Sequence, residues 1–151
     1  MSDPTVERWR QSGLISMWKS KNPRWDRWNL TADDAACAGL VELLDRMENA
    51  QWPSKKKLEL VRPGVTADNR GQFRAATCLT LKYAKGRVPD DHWILEEPER
   101  ASLLLEVGLA YLRELREAIA DIRQGGGDYC IGARGNALWV WWYLKPPSKK
   151  A

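Results

Sequence analysis

The sequence predicts an α+β fold: a mostly antiparallel sheet of about five strands, backed by a long amphipathic helix and a second, shorter helix. Three observations predict it. Apolar residues recur at helical spacing over 31–51 and 98–123. Short runs that alternate, or are apolar throughout, lie between and after these stretches, closed off by Pro, Gly and Asn. One of them, Leu138-Trp139-Val140-Trp141-Trp142-Tyr143-Leu144, is apolar on both faces and so demands cover on both sides.

Residues 1–30 form a Trp-rich N-terminal segment, 31–146 a single α+β domain and 147–151 a basic tail. In the first segment Trp9, Trp18, Trp25 and Trp28 are interleaved with Arg and Lys. A short helix near 4–11 followed by irregular structure up to 30 fits this pattern. Thr31 opens the next helix as a capping residue, with acid behind it where the helix dipole favours it. Ala36, Leu40, Val41, Leu44 and Met47 form its stripe, and Trp52-Pro53 ends it. Lys57–Arg62 alternates as a strand and Pro63-Gly64 stops it. A polar loop over 64–72 leads to a second strand over 74–84. Leu79, Leu81 and Tyr83 share one of its faces, and Cys78, Thr80 and Lys82 the other. His92–Leu95 gives a short third strand. Pro98 suits the first turn of a helix and is flanked by glutamates, so the long helix is placed from Pro98 to about Arg123. Tyr129–Ile131 and Leu138–Leu144 close the chain as a hairpin around Gly132–Asn136. No internal repeat is visible.

Bulk composition narrows the function. No run reaches the ~18–20 apolar residues of a membrane span. The start, Met1-Ser2-Asp3-Pro4, lacks the layout of a secretory signal. Cys37, Cys78 and Cys130 are widely spaced in apolar surroundings. They read as buried thiols of a reducing compartment, which points to the cytoplasm. His92 is the single imidazole, so a zinc site lacks ligands and no metal or cofactor is expected. An enzyme would have to use His92 with Asp90 or Asp91, and neighbours on a strand point to opposite faces. Gly125-Gly126-Gly127 follows a helix, whereas a phosphate cradle precedes one. Gly132-Ala133-Arg134-Gly135 reads as a hairpin turn.

What remains is charge with aromatics. Nine Trp stand against one Phe. Residues 54–87 carry nine Lys/Arg against two Asp/Glu, while 32–53 and 88–123 are acidic. With helices over one face of a sheet, the surface would be basic at the sheet and acidic over the helices, the footprint of a phosphate-backbone binder. Lys55, Lys56, Lys57, Arg62, Arg70, Arg74, Lys82, Lys85 and Arg87 would neutralise phosphates. Trp139, Trp141 and Tyr143 recur every second residue, so their rings would lie roughly 6.5–7 Å apart along a strand. Bases stack on such rings at ~1–3 kcal/mol each. The same rings could instead pack on the N-terminal segment or form a homodimer interface.

Residues 57–122 run basic strand, basic strand, strand (Trp93-Ile94-Leu95), then a helix over Pro98–Ile122. This order is similar in layout to the Whirly-type single-stranded nucleic-acid binders. The resemblance covers under half of the chain and implies a curved antiparallel sheet backed by a helix that also dimerises. The sequence thus leads to a non-enzymatic nucleic-acid-binding protein, single-stranded DNA or RNA preferred, with homodimerisation plausible and no membrane partner. The alternative is a small protein-interaction module or regulator whose Trp-rich, basic N-terminus docks an acidic protein partner.

Overall fold

The computed structural model describes residues 3–20, 27–63, 73–125, 129–133 and 135–141. The class is α+β, as expected, but the strands form two sheets instead of one. In chain order the elements are α1 (Pro4–Glu7), β1 (Ile15–Ser20), β2 (Trp28–Ala32), α2 (Asp34–Asn49), β3 (Ser54–Glu59) and β4 (Phe73–Ala75). They continue with β5 (Cys78–Tyr83), β6 (Trp93–Glu99), β7 (Ser102–Val107), α3 (Leu109–Arg123), β8 (Tyr129–Ile131) and β9 (Leu138–Trp141). A five-stranded sheet has the order β4-β1-β2-β9-β8 and a four-stranded sheet the order β3-β5-β7-β6. Pairing is antiparallel except at β2/β9 and β5/β7.

Three expectations change. The helix placed over 98–123 is a strand followed by a helix: β6 runs on through Pro98 to Glu99, β7 follows, and α3 begins only at Leu109. Leu103 and Leu105 are buried while Leu104 between them is half-buried, the period-two pattern of a strand. Pro98 is tolerated because β6 is an edge strand, with a register shift between Glu96 and Glu99. The layout shared with the Whirly-type binders therefore breaks at this point. The N-terminal segment, expected to be irregular after a short helix, supplies β1 and the start of β2. In β1 Ile15, Met17 and Trp18 are fully buried. Thr31 does not cap α2. It lies in β2 with Oγ1 donating to the Trp141 carbonyl at 2.9 Å, and Asp33 caps instead, accepting from the Ala36 amide at 2.9 Å.

Shorter differences follow the same physics. The strand expected at Lys57–Arg62 starts and ends earlier, at Ser54–Glu59, and the one over 74–84 is broken into β4 and β5. At the break, the Ala76 amide bonds to Met17 of one sheet while the Thr77 carbonyl accepts from Leu60 beside the other sheet. Of the thiols expected to be buried, Cys37 is, Cys78 is half-buried and Cys130 is exposed on the short strand β8.

The two sheets repeat one design. A hairpin (β1–β2, β6–β7) feeds a helix (α2, α3) through a single capping residue, Asp33 or Gly108. Each hairpin's second strand then takes a parallel neighbour that follows the other helix: β9, after α3, beside β2, and β5, after α2, beside β7. The burial pattern repeats too. Cys37, Leu40, Leu43, Leu44 and Met47 of α2 are buried, and Leu112, Leu115, Ala118, Ile119 and Ile122 occupy the same places counted from the cap of α3. These stripes belong to one continuous core, so the helix face that suggested dimerisation is used inside the chain. Ion pairs close the exposed side of the helix pair: Arg113 to Glu48, Arg116 to Asp45 and Arg123 to Asp34.

The strand assignment of β7 is checked by alanine substitution. Leu105→Ala should cost ~2–5 kcal/mol in urea unfolding, the range for a fully buried leucine, and Leu104→Ala distinctly less. Equal losses, or the reverse order, would restore the helical reading.

Candidate binding surface

Strand parity fixes what the outer face of the four-stranded sheet carries. Leu58 on β3, with Leu79, Leu81 and Tyr83 on β5, points into the core, as do Leu103, Leu105 and Val107 on β7. The alternate positions face outward: Lys55, Lys57 and Glu59, then Cys78, Thr80 and Lys82, then Ser102, Leu104 and Glu106. In register, Lys55 stands opposite Lys82 and Lys82 opposite Glu106, while Lys57 stands opposite Thr80. Lys82 Nζ lies 3.2 Å from Glu106 Oε2, and His92 Nε2 lies 2.8 Å from Glu106 Oε1. The carboxylate holding His92 is therefore on the neighbouring strand, not at Asp90 or Asp91. Burial opposes ionisation of Glu106, but the hydrogen bonds from His92 and Lys82 outweigh it, and the carboxyl is held below its ordinary value.

The β3 edge is the basic end of this face. Lys56 Nζ reaches across to the Glu7 carbonyl at 2.8 Å, tying α1 to the strand. Beside it Glu7, Lys55, Lys56, Lys57 and Thr80 line a cavity of about 490 Å³, within the ~300–1,000 Å³ common for ligand clefts. One step along, the Gln11 carboxamide donates to the Glu59 carbonyl at 2.7 Å and accepts from the Glu59 amide at 2.8 Å.

The other expected cations are placed elsewhere. Lys85 donates to the Glu48 and Ala50 carbonyls at 3.1 and 2.7 Å, satisfying the C-terminal end of α2. Arg74 pairs with Glu97 at 2.5 Å and lies over the Trp28 ring. Arg62 lies over Phe73, and Arg87 is exposed after the β5 turn. Arg70 lies outside the described residues. The structure thus brings together Lys55, Lys56, Lys57 and Lys82 and disperses the rest.

The aromatic shelf is on the other sheet. Trp139 and Trp141 on β9 are half-buried and stack on each other at 5.9 Å between centroids. Trp141 Nε1 donates to Asn29 Oδ1 at 2.8 Å. Ser16, Trp18, Asn29 and Thr31 on the same face of that sheet are all buried. Tyr143 lies outside the described residues. Trp9, counted among the N-terminal docking residues, is buried with Nε1 donating to the Gly39 carbonyl at 2.8 Å. The lysines and the rings expected to form one site are therefore divided between two sheets.

Sequence reasoning missed Glu106 and Gln11. Glu106 was hidden by reading β7 as helix, although Leu103-Leu104-Leu105-Glu106-Val107 carries the signal once read with period two. Nothing in the sequence marks Gln11. Among the described residues no three His, Cys, Asp or Glu side chains gather so as to hold a metal ion, and no helix is long and apolar enough to cross a membrane.

With the fold and this surface in hand, the molecule is an α+β protein of two interlocked sheets whose four-stranded sheet bears a basic edge. Comparison with known proteins returns no matching family model, no matching curated protein and no matching solved structure.

Because the folded carboxyl of Glu106 titrates below its ordinary value, its ionised form contributes stability that is present above that value and fades as pH falls through the lower folded one. Unfolding measured at about pH 6 and about pH 3 should show a smaller loss on acidification in Glu106→Gln than in the wild type. An unchanged loss would mean that the His92–Glu106–Lys82 cluster adds nothing to stability.

Proposed function

We propose that this chain is a non-enzymatic interaction module that docks an acidic segment of a protein partner on the lysine-bearing edge of its four-stranded sheet. The observation that carries this reading is the charge pattern across that face. Two outward lysines, Lys55 and Lys57, lie about 7 Å apart along β3, with the Lys82 ammonium one strand in. The next strand bears Glu106 and the far edge Glu96, and Glu59 ends the lysine row. Strands are ~4.8 Å apart, so Glu106 lies within about one to two Debye lengths of the lysines at physiological salt. A short anionic segment laid beside Lys55 and Lys57 meets two exposed cations before it reaches Glu59. A long phosphate backbone crossing the face would meet glutamates.

A single nucleic-acid strand, the partner that the charge of residues 54–87 first suggests, is the competing reading. It is favoured by the cluster of Lys55, Lys57 and Lys82 itself. It has less support from the aromatics, because Trp139 and Trp141 are stacked on one another in the other sheet.

Fluorescence-anisotropy titrations with labelled polyglutamate and with a labelled single-stranded oligonucleotide separate the two. Polyglutamate should bind with an affinity that falls as salt is raised, and the double variant Lys55→Glu/Lys57→Glu should weaken it at least about tenfold. Binding of the oligonucleotide alone would favour the nucleic-acid reading. Equal affinity of wild type and double variant for polyglutamate would overturn the assignment of the site.

A further inference from the structure

We infer that the partner segment binds as an added β-strand, pairing its backbone with the outer edge of β3 while its acidic side chains meet Lys55 and Lys57. This rests on the acidic-partner reading above and deepens it: the recognition element becomes an extended, unpaired stretch of polypeptide, not charge alone.

The direction of the β3 backbone groups follows from three bonds. The Leu60 amide donates to the Thr77 carbonyl at 3.0 Å, so residue 60 faces inward toward the β5 side. Glu59, one residue earlier, gives both its N–H and its C=O to the Gln11 side chain, so it faces outward. Inward and outward groups alternate along an antiparallel edge, and β3 pairs with β5 without interruption from Ser54 to Glu59. Lys57 and Lys55 therefore also present N–H and C=O to the outside. Among the described residues none takes these four groups.

Gln11 shows what fits there. A primary carboxamide can aim one of its two N–H groups and its carbonyl oxygen the same way, and here it makes the two bonds that a residue of a paired strand would make. The chain has thus placed a peptide-like group on the first outward position and left the next two open. The cavity lined by Glu7, Lys55, Lys56, Lys57 and Thr80 provides room beside those two positions. Charge then selects the occupant. In an added strand, alternate side chains project over the outer face beside Lys55 and Lys57, and only carboxylates gain there. Strand addition of this kind takes affinity from main-chain bonds and specificity from alternate side chains. It also explains why so short a basic row could suffice: four backbone bonds are offered in the same few ångströms.

The test uses the full chain and a labelled acidic peptide of alternating Glu and Val. Two further versions carry N-methyl groups on alternate backbone nitrogens, one version on the odd residues and one on the even. All three have the same charge. Strand addition requires the peptide's N–H groups on one side only, so one methylated version should bind like the parent and the other should lose at least about tenfold. Amide hydrogen exchange at Lys55 and Lys57 should slow on binding the parent. Equal affinity of all three peptides would overturn strand addition while leaving a charge-based acidic site intact. Failure of all three, with polyglutamate also failing to bind, would remove the acidic-partner reading itself.

Discussion

The constraint on which the rest depends is that α2 and α3 must be buried against each other and against both sheets at once. Each helix leaves a central strand through one capping residue, so helix and strand are rigidly joined at that point. The strand in turn gains a parallel neighbour that follows the other helix. Removing β9 would leave β2 with β1 alone, and removing β5 would leave β7 with β6 alone. Each sheet thus takes strands from both repeats, and the continuous core records this. Local packing details support the interlock. At Gly132, where φ is 118°, a Cβ would come within 2.3 Å of the Trp93 ring, so only glycine lets the β8–β9 turn press on the start of β6. The Trp93 indole then donates to the Asn136 carbonyl at 2.7 Å.

Once the inner faces are committed, the two sheets differ only in what they do outside. The repeat makes the comparison direct, because Leu138 and Val140 on β9 occupy the core positions that Leu79 and Leu81 hold on β5. The alternate positions are Trp139 and Trp141 in one sheet and Thr80 and Lys82 in the other. The five-stranded sheet thus has an outer face on which Trp18, Ser16, Asn29 and Thr31 are buried beside the half-buried Trp139 and Trp141 rings. Burial of apolar surface is worth ~25 cal/mol per Å², so that face contributes to stability. The equivalent face of the four-stranded sheet carries Lys55, Lys57 and Glu59 at exposed positions and Thr80, Lys82 and Glu106 at half-buried ones, and contributes little to the core. The exposed lysine positions of β3, which the core does not need, are where binding can be placed with little loss of stability.

Legibility of the fold followed from how each element is buried. The helix over 34–49 was readable because one side is apolar and the other is not. β5 was readable because Leu79, Leu81 and Tyr83 alternate with Cys78, Thr80 and Lys82. β2 was not, because all five of its residues are buried and a strand covered on both faces has no alternation to read. The run Leu103-Leu104-Leu105 fits a helix and a strand equally well. What decides it is its place between β5 and β6, a contact between distant parts of the chain. The repeat escaped notice because it conserves burial and not residue type: Cys37 corresponds to Leu112, and Leu43 to Ala118. The lysines of the candidate site were legible as charge. Which of them gather was not, since Lys85 differs from Lys55 and Lys57 only in where the chain carries it.

The handling of the sheet edges completes the argument for β3. Exposed edges invite uncontrolled pairing, and proteins blunt them. β4 and β8 are only three residues long. β6 is longer, but it carries Pro98 and a register shift, and the Asn136 side chain donates to the Leu95 carbonyl on its outer side at 2.8 Å. β3 has none of these devices beyond Gln11 at its end. It has lysines instead. A second copy of the chain approaching edge to edge would set Lys55 and Lys57 against the same lysines, and like charges repel at that spacing. A strand of opposite charge meets no such barrier. The residues that keep this edge from pairing with itself are therefore the ones that select an acidic partner, and one set of side chains serves both ends.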